Sequence, residues 1–318
     1  MERIMIVSAV IAFVIAVCCA PVMIPVLHRL KFGQKIRDEG PSWHKKKSGT
    51  PTMGGFIFIL PIVICTLLFM RNKTGISLML FALSFGFIGF VDDYIKVVKK
   101  RNLGLTEKQK FLMQFLFAAL FVVMSLYVLK IVDTKIFIPF LKNEVDIGYF
   151  YIPLTLFVLI GGTNSVNLTD GVDGLATSVT CVVCAFFAVY GYVTENAEIA
   201  VFNVICLASL LGFLVFNKYP AKIFMGDTGS LFLGGVVCSN ALFIKNPLIL
   251  VIAGGVYVLE TMSVIIQVAY FKKTGKRIFK MSPIHHHFEM CGWSEVKVVT
   301  VATLITVLLC VISYFAIV

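Results

Sequence analysis

Five acidic residues sit where apolar runs meet polar ones: Asp92, Asp93, Asp170, Asp173 and Asp227. In Phe90-Val91-Asp92-Asp93-Tyr94-Ile95-Lys96 two adjacent carboxylates follow an apolar stretch. Such a pair suits a magnesium ion or proton transfer at a membrane surface, with Lys96 meeting a phosphate. A solvated helix end with Asp92 and Lys96 paired at i,i+4 would need only one acid. Asn164, Asn167, Asp170 and Asp173 recur every three residues, and no basic residue lies between 165 and 174. A helix would bring these four to roughly one face. The spacing and terminal Glu of a calcium loop are missing. A turn-rich linker is the structural alternative. Phe224 to Ser230 sets Asp227 between glycines just ahead of an apolar run, where helix amides welcome an anion or need a cap. No Gly-Lys-Ser/Thr follows, so this is not a P-loop. In Pro283 to Glu289, three consecutive histidines (His285, His286, His287) lie in a basic loop with Lys272, Lys273, Lys276, Arg277 and Lys280. Adjacent histidines on a regular helix or strand cannot all reach one metal ion, so a pyrophosphate suits them better than zinc.

Carboxylates on several connections, with Lys and His, fit phosphoryl transfer, in which catalysis is mostly positioning and neutralisation of charge. The elements that hold these residues are apolar. Of 318 residues, 59% are hydrophobic and 14% charged, against about 45–50% and 25% in a soluble domain. Mean hydropathy is +0.94. This composition sets aside secreted, disordered and nucleic-acid-binding classes. It predicts an all-α polytopic membrane protein: one membrane-embedded domain over 1–318, with the active site on cytoplasmic loops. The runs predict ten spans, at about 4–26, 53–70, 76–91, 111–132, 149–164, 175–193, 197–216, 231–247, 249–271 and 297–318. The run from Ile4 to about Val26 is too long for a signal-peptide core and is expected to stay as the first span.

With ten spans, 21 of the 28 Lys and Arg fall on one side and 7 on the other, which puts the first side in the cytoplasm and both termini outside. All five acids and the three histidines then share the cytoplasmic face, as a water-soluble substrate requires. Net charge is +11. The nine cysteines are odd in number and mostly inside apolar segments, so no disulfide framework is expected. Glu260, mid-span, is either functional or bonded to neighbouring helices.

With these motifs in hand, the sequence closely resembles the phospho-N-acetylmuramoyl-pentapeptide transferase (translocase I) family, in the polyprenyl-phosphate hexosamine-1-phosphate transferase superfamily. The resemblance rests on Lys47-Ser48-Gly49-Thr50-Pro51-Thr52-Met53-Gly54-Gly55, Asp92-Asp93 with Lys96, Asn164 to Gly174, Phe224 to Ser230, and Pro283 to Glu289. Ser165 and Val172 are small departures, at positions where Ala and Leu are common. The resemblance implies transfer of phospho-MurNAc-pentapeptide from UDP-MurNAc-pentapeptide to undecaprenyl phosphate. The products are lipid I and UMP, the cofactor is Mg²⁺, and the location is the bacterial plasma membrane. It implies Asp227 as magnesium ligand, Asp92 as base toward the lipid phosphate with Asp93 beside it, and Asp170 and Asn167 in the catalytic centre. Asp173, Asn217, Phe224 and Lys47 are implied nucleotide contacts, Lys47 sharing its run with Lys45 and Lys46. Asn164 joins the substrate-binding set, and Lys96, Lys108 and His285, His286 and His287 would meet phosphates. A homodimer is compatible with this reading. One rival is the branch that transfers GlcNAc-1-phosphate, which shares the aspartates but differs in the histidine loop. Another is a nucleotide-sugar transporter, which would place its polar site near the bilayer midplane.

Overall fold

The computed structural model describes residues 1–29, 49–98 and 104–318. Helices dominate: α1 (Glu2–Arg29), α2 (Phe56–Phe69), α3 (Lys73–Val98), α4 (Glu107–Val123), α5 (Tyr151–Thr169), α6 (Leu175–Val193), α7 (Ala197–Asn217), α8 (Gly226–Phe243), α9 (Gly255–Thr274), α10 (Ile284–Met290) and α11 (Glu295–Ile317). A small antiparallel hairpin, β1 (Lys135–Ile138) with β2 (Asn143–Asp146), interrupts them. Each of the ten expected spans falls on a helix. Among the described residues, seven helices are long and apolar enough to cross a membrane, and α2, α8 and α9 are outside that set.

Burial explains why α8 reads weakly as a span. Every residue from Thr228 to Phe243 is buried, so α8 meets protein on all sides and is free to carry Gly, Ser and Asn where a lipid-facing helix carries Leu. Its Asn240 accepts from Asn203 of α7 at 2.7 Å. The outer helices show the converse. On α1 a stripe of Ser8, Ala12, Ala16 and Ala20 is buried, and these small side chains let the helix approach α7 closely. Val10 and Val14 on its other face are exposed. Leu112, Leu116 and Leu120 on α4 and Leu304, Leu308 and Phe315 on α11 are exposed too. Apolar faces this extensive belong in lipid.

Four expected boundaries differ. α3 runs on through Asp92 and Asp93 to Val98, and α5 runs through Asn164 and Asn167 to Thr169. α8 begins at Gly226, so Asp227 lies in its first turn and not ahead of it. The span expected from 249 starts as a 3-10 turn (Pro247–Val251), and its helix begins only at Gly255. All nine cysteines are free. At the hairpin end, Phe140 donates to Ala316 and Tyr192 to Glu2. The first and last helices thus have their chain ends at the end of the bundle remote from Asp227.

α3 and α8 form the central pair. A Cβ on Gly235 would stand 2.8 Å from the Ala82 Cα. Gly235→Val must push the two helices apart, at a cost of about 1–3 kcal/mol. Thermal unfolding in detergent is expected to shift clearly downward for Gly235→Val and hardly at all for Leu308→Val, which is exposed on α11.

Candidate active site

The acids converge because of how α8 starts. The first N–H groups of a helix have no partner within it, and the helix dipole is positive there. No side chain of α8's own preceding segment caps it. Asp93 of α3 does so from outside. Its Oδ2 accepts from the Thr228 amide at 2.9 Å and from Thr228 Oγ1 at 2.7 Å, and its Oδ1 accepts from the Asp227 amide at 3.2 Å. Asp93 is 3% exposed. Because α3 continues past it, this carboxylate sits at no helix C-terminus, and it meets only the favourable end of α8's dipole.

Asp92, the next residue back and equally buried, points elsewhere. Its Oδ1 accepts from the Leu105 amide at 2.7 Å, and its Oδ2 pairs with Lys96 at 2.5 Å. Lys96 also reaches Asp227 Oδ2 at 3.0 Å. The i,i+4 pair therefore exists, but it is one arm of a lysine bridge between two helices. Lys110 of α4 approaches the same Asp227 oxygen at 3.1 Å and Asn167 Oδ1 at 3.4 Å. Asn167 of α5 donates to Asp227 Oδ1 at 3.0 Å and to Ser230 Oγ at 2.7 Å. Asp227 is thus held by α3, α4 and α5 at once. One oxygen from each of Asp92, Asp93 and Asp227 lies within 4.8 Å of the others, a group that could hold a metal ion. Three carboxylates faced by two ammonium groups keep negative charge, and an all-oxygen set suits a hard divalent cation.

Asp170 caps the C-terminus of α5. Burial, followed by the negative charges of Asp227, Asp93 and Asp173, raises its carboxyl from 3.8 to about 8. Asp173, on the turn after it, accepts from the Ala221 amide at 2.9 Å, and its own N–H donates to Glu295 at 3.3 Å. Asn217 is buried, accepting from Thr177 and donating to the Ile223 carbonyl. Both residues shape the loop between α7 and α8. Phe224, on that loop, is half-buried and joined through its backbone to Pro51 and Gly54 of the Gly-Thr-Pro-Thr-Met-Gly-Gly motif. Asn164 exchanges hydrogen bonds with Gln114 of α4 at 2.8 and 3.3 Å, clamping α4 to α5.

The histidines diverge, as successive residues of a helix must. His285 turns inward to Glu260 at 2.9 Å, His286 to Glu289 at 2.7 Å, and His287 accepts from the Lys280 amide at 3.1 Å. Lys47, with Lys45 and Lys46, lies outside the described residues.

The sequence singled out Lys108, yet that residue is exposed, and Lys110 reaches the acids. A legible signal existed. Thr106 and Gln109 form a capping box that fixes the start and phase of α4. From it, Lys110, Gln114, Ala118 and Val122 follow at i,i+4 steps, and the last three are buried.

The sequence profile of glycosyl transferase family 4 matches residues 75–245. A phospho-N-acetylmuramoyl-pentapeptide-transferase of Clostridium botulinum (strain Alaska E43 / Type E3) is 49% identical over 311 residues, covering 97% of this chain and 95% of the relative. One of Clostridium perfringens (strain SM101 / Type A) is 51% identical over 310 residues, covering 96% and 95%. One of Halalkalibacterium halodurans is 48% identical over 308 residues, covering 94% and 93%.

Asp170's raised carboxyl gives a signed test. A folded-state value near 8 against 3.8 means that ionisation costs the fold nothing below about pH 4 and its full amount above about pH 8. In metal-free protein, the gain in unfolding temperature of Asp170→Asn over the parent is expected to grow across that window and then level off. A gain independent of pH would contradict it. With the match extending over nearly the whole length of these relatives and the acids gathered at one end of an apolar bundle, the chain belongs to the phospho-N-acetylmuramoyl-pentapeptide transferase family.

Proposed function

We propose that the chain transfers phospho-MurNAc-pentapeptide from UDP-MurNAc-pentapeptide to undecaprenyl phosphate, producing lipid I and UMP. The observation that carries this reading is the meeting of Asp92, Asp227, Asn167, Lys96 and Lys110 from four helices at one end of a lipid-compatible bundle. A soluble diphosphate and a membrane-dissolved phosphate have to meet at such a place. In the reading, all ten spans cross a bacterial plasma membrane, the acid cluster faces the cytoplasm, and both termini lie outside.

An oxygen of the lipid phosphate attacks the phosphorus that carries the sugar. A P–O bond forms there, the diphosphate P–O bond breaks, and UMP leaves with the electron pair. Asp92, buried beside Lys96, takes the proton from the attacking phosphate. Lys96 and Lys110 neutralise charge on the two phosphates, with Lys110 replacing Lys108 in this role. Asn167 orients Asp227, and Asp93 acts by fixing the turn of α8 that bears it. Asp227 would hold Mg²⁺, which binds one or two protein carboxylates plus substrate phosphates. When bound, it supplies charge neutralisation on the diphosphate. Asp173, Asn217 and Phe224 form the loop on which the uridine would rest, and His286, His287 and Lys47 remain candidate phosphate contacts. The donor is MurNAc-pentapeptide and not GlcNAc because relatives that match over nearly their whole length carry that name and the chain keeps the Pro-Ile-His-His-His-Phe-Glu run.

Release of UMP from UDP-MurNAc-pentapeptide and polyprenyl phosphate, by purified protein with Mg²⁺, tests the reading. Parent protein is expected to release UMP, and no release, or release only from UDP-GlcNAc, would overturn the assignment. Asp227→Ala is expected to lose about 100-fold or more of that activity. For the two lysines, Lys110→Ala should fall by a similar factor while Lys108→Ala stays within about twofold, since surface charges remote from the reacting atoms contribute little. Equal losses would contradict the placement of Lys110.

A further inference from the structure

Glu260 and His285 are buried at 3% and 1% exposure and lie on separate elements, α9 and α10. A carboxylate this deep needs partners. Glu260 Oε2 takes the His285 backbone amide at 3.4 Å and the ring Nδ1 at 2.9 Å. One turn-pair further along α9, Gln267 holds the same loop. Its Oε1 accepts from the Ile278 and Phe279 amides at 3.0 Å each, and its Nε2 donates to the Phe279 carbonyl at 3.0 Å. Gln267 thus holds the loop's backbone, whereas Glu260 also engages a ring.

The other ring nitrogen has no such partner. His285 Nε2 is fully buried, and nothing among the described residues is bonded to it. It abuts Gly171, where any Cβ would collide with it, and Gly171 follows Asp170. A buried imidazole nitrogen left unpaired beside an acid cluster points to a ligand that completes it.

We infer that Glu260 is a positioning residue. By taking the Nδ1 hydrogen it fixes the ring so that Nε2 faces the Asp170–Gly171 turn, where it donates to a phosphate oxygen of the nucleotide substrate. In that arrangement the Glu260 carboxylate and the phosphate oxygen each accept from one ring nitrogen. Gly171 is small because the ring occupies the space a side chain would fill. This inference rests on the transferase reading for the identity of the ligand, but not for the pairing itself.

The test is nitrogen NMR of protein labelled with ¹⁵N-histidine, with His285 assigned by its loss in His285→Gln. In the parent, Nδ1 is expected in the protonated, hydrogen-bonded range, and UMP with Mg²⁺ is expected to move Nε2. Glu260→Gln should change the Nδ1 signal and lower kcat by about tenfold or more while KM changes less. In the His285→Gln background the same substitution should cost less than about twofold. A bare Nδ1 in the parent overturns the proposal even if the variant fails to fold. So does a cost of Glu260→Gln that multiplies with that of His285→Gln, or an unmoved Nε2 in protein shown to bind UMP. Absence of UMP release by the parent would instead sink the transferase reading, leaving the Nδ1 result to stand or fall alone.

Discussion

The site depends on one contact: the Asp93 carboxylate closing the open amino end of α8. A helix buried from Thr228 onward cannot leave its first amides to water, and its own leading segment offers no cap. Supplying the cap from α3 satisfies those amides and fixes the rotation and height of α8 against α3. Asp227 sits in the capped turn, and Asp92 sits one residue before the cap. Their separation is therefore set by backbone geometry and not by long side chains. Asp92 and Asp227 are held in register by a third carboxylate, Asp93, that accepts from the first amides of α8.

Around that contact the charges balance locally. Lys96, one turn past Asp92 on α3, and Lys110 of α4 meet on one oxygen of Asp227, while Asn167 occupies the other. In the proposed transfer, the ammonium groups that neutralise the acids in the free protein also serve the substrate diphosphate. Asp170 loses hydration on burial and is left with mostly negative neighbours, and its raised carboxyl follows. Sites of this kind are held at some cost to the fold, and the surrounding packing offsets it. Here the offset comes from α8, whose sides are wrapped chiefly by α3 and α5.

Much of this was legible from residue order. The ten apolar runs each became a helix, and the acid motifs came together at one end, because hydropathy and carboxylate spacing are local properties of the chain. What the order hid was contact between distant segments. The capping of α8 by Asp93 leaves no trace in its own motif, which reads equally well as a metal-binding pair. Glu260 looked isolated in the middle of a run because its partner, His285, lies 25 residues on. The exchange of Lys108 for Lys110 is a matter of helix phase, which Thr106 and Gln109 fix. The weak apolar signal of α8 followed from its neighbours, which shield it from lipid, a fact no window of its own sequence contains.

The central claim is that acids from separate helices form a single cation and diphosphate centre. Anomalous diffraction from crystals grown with Mn²⁺ tests it directly. The account predicts a peak bonded to Asp227, with Asp93 still on the amides of α8. A peak at His286 and Glu289 with none among the three aspartates would contradict it.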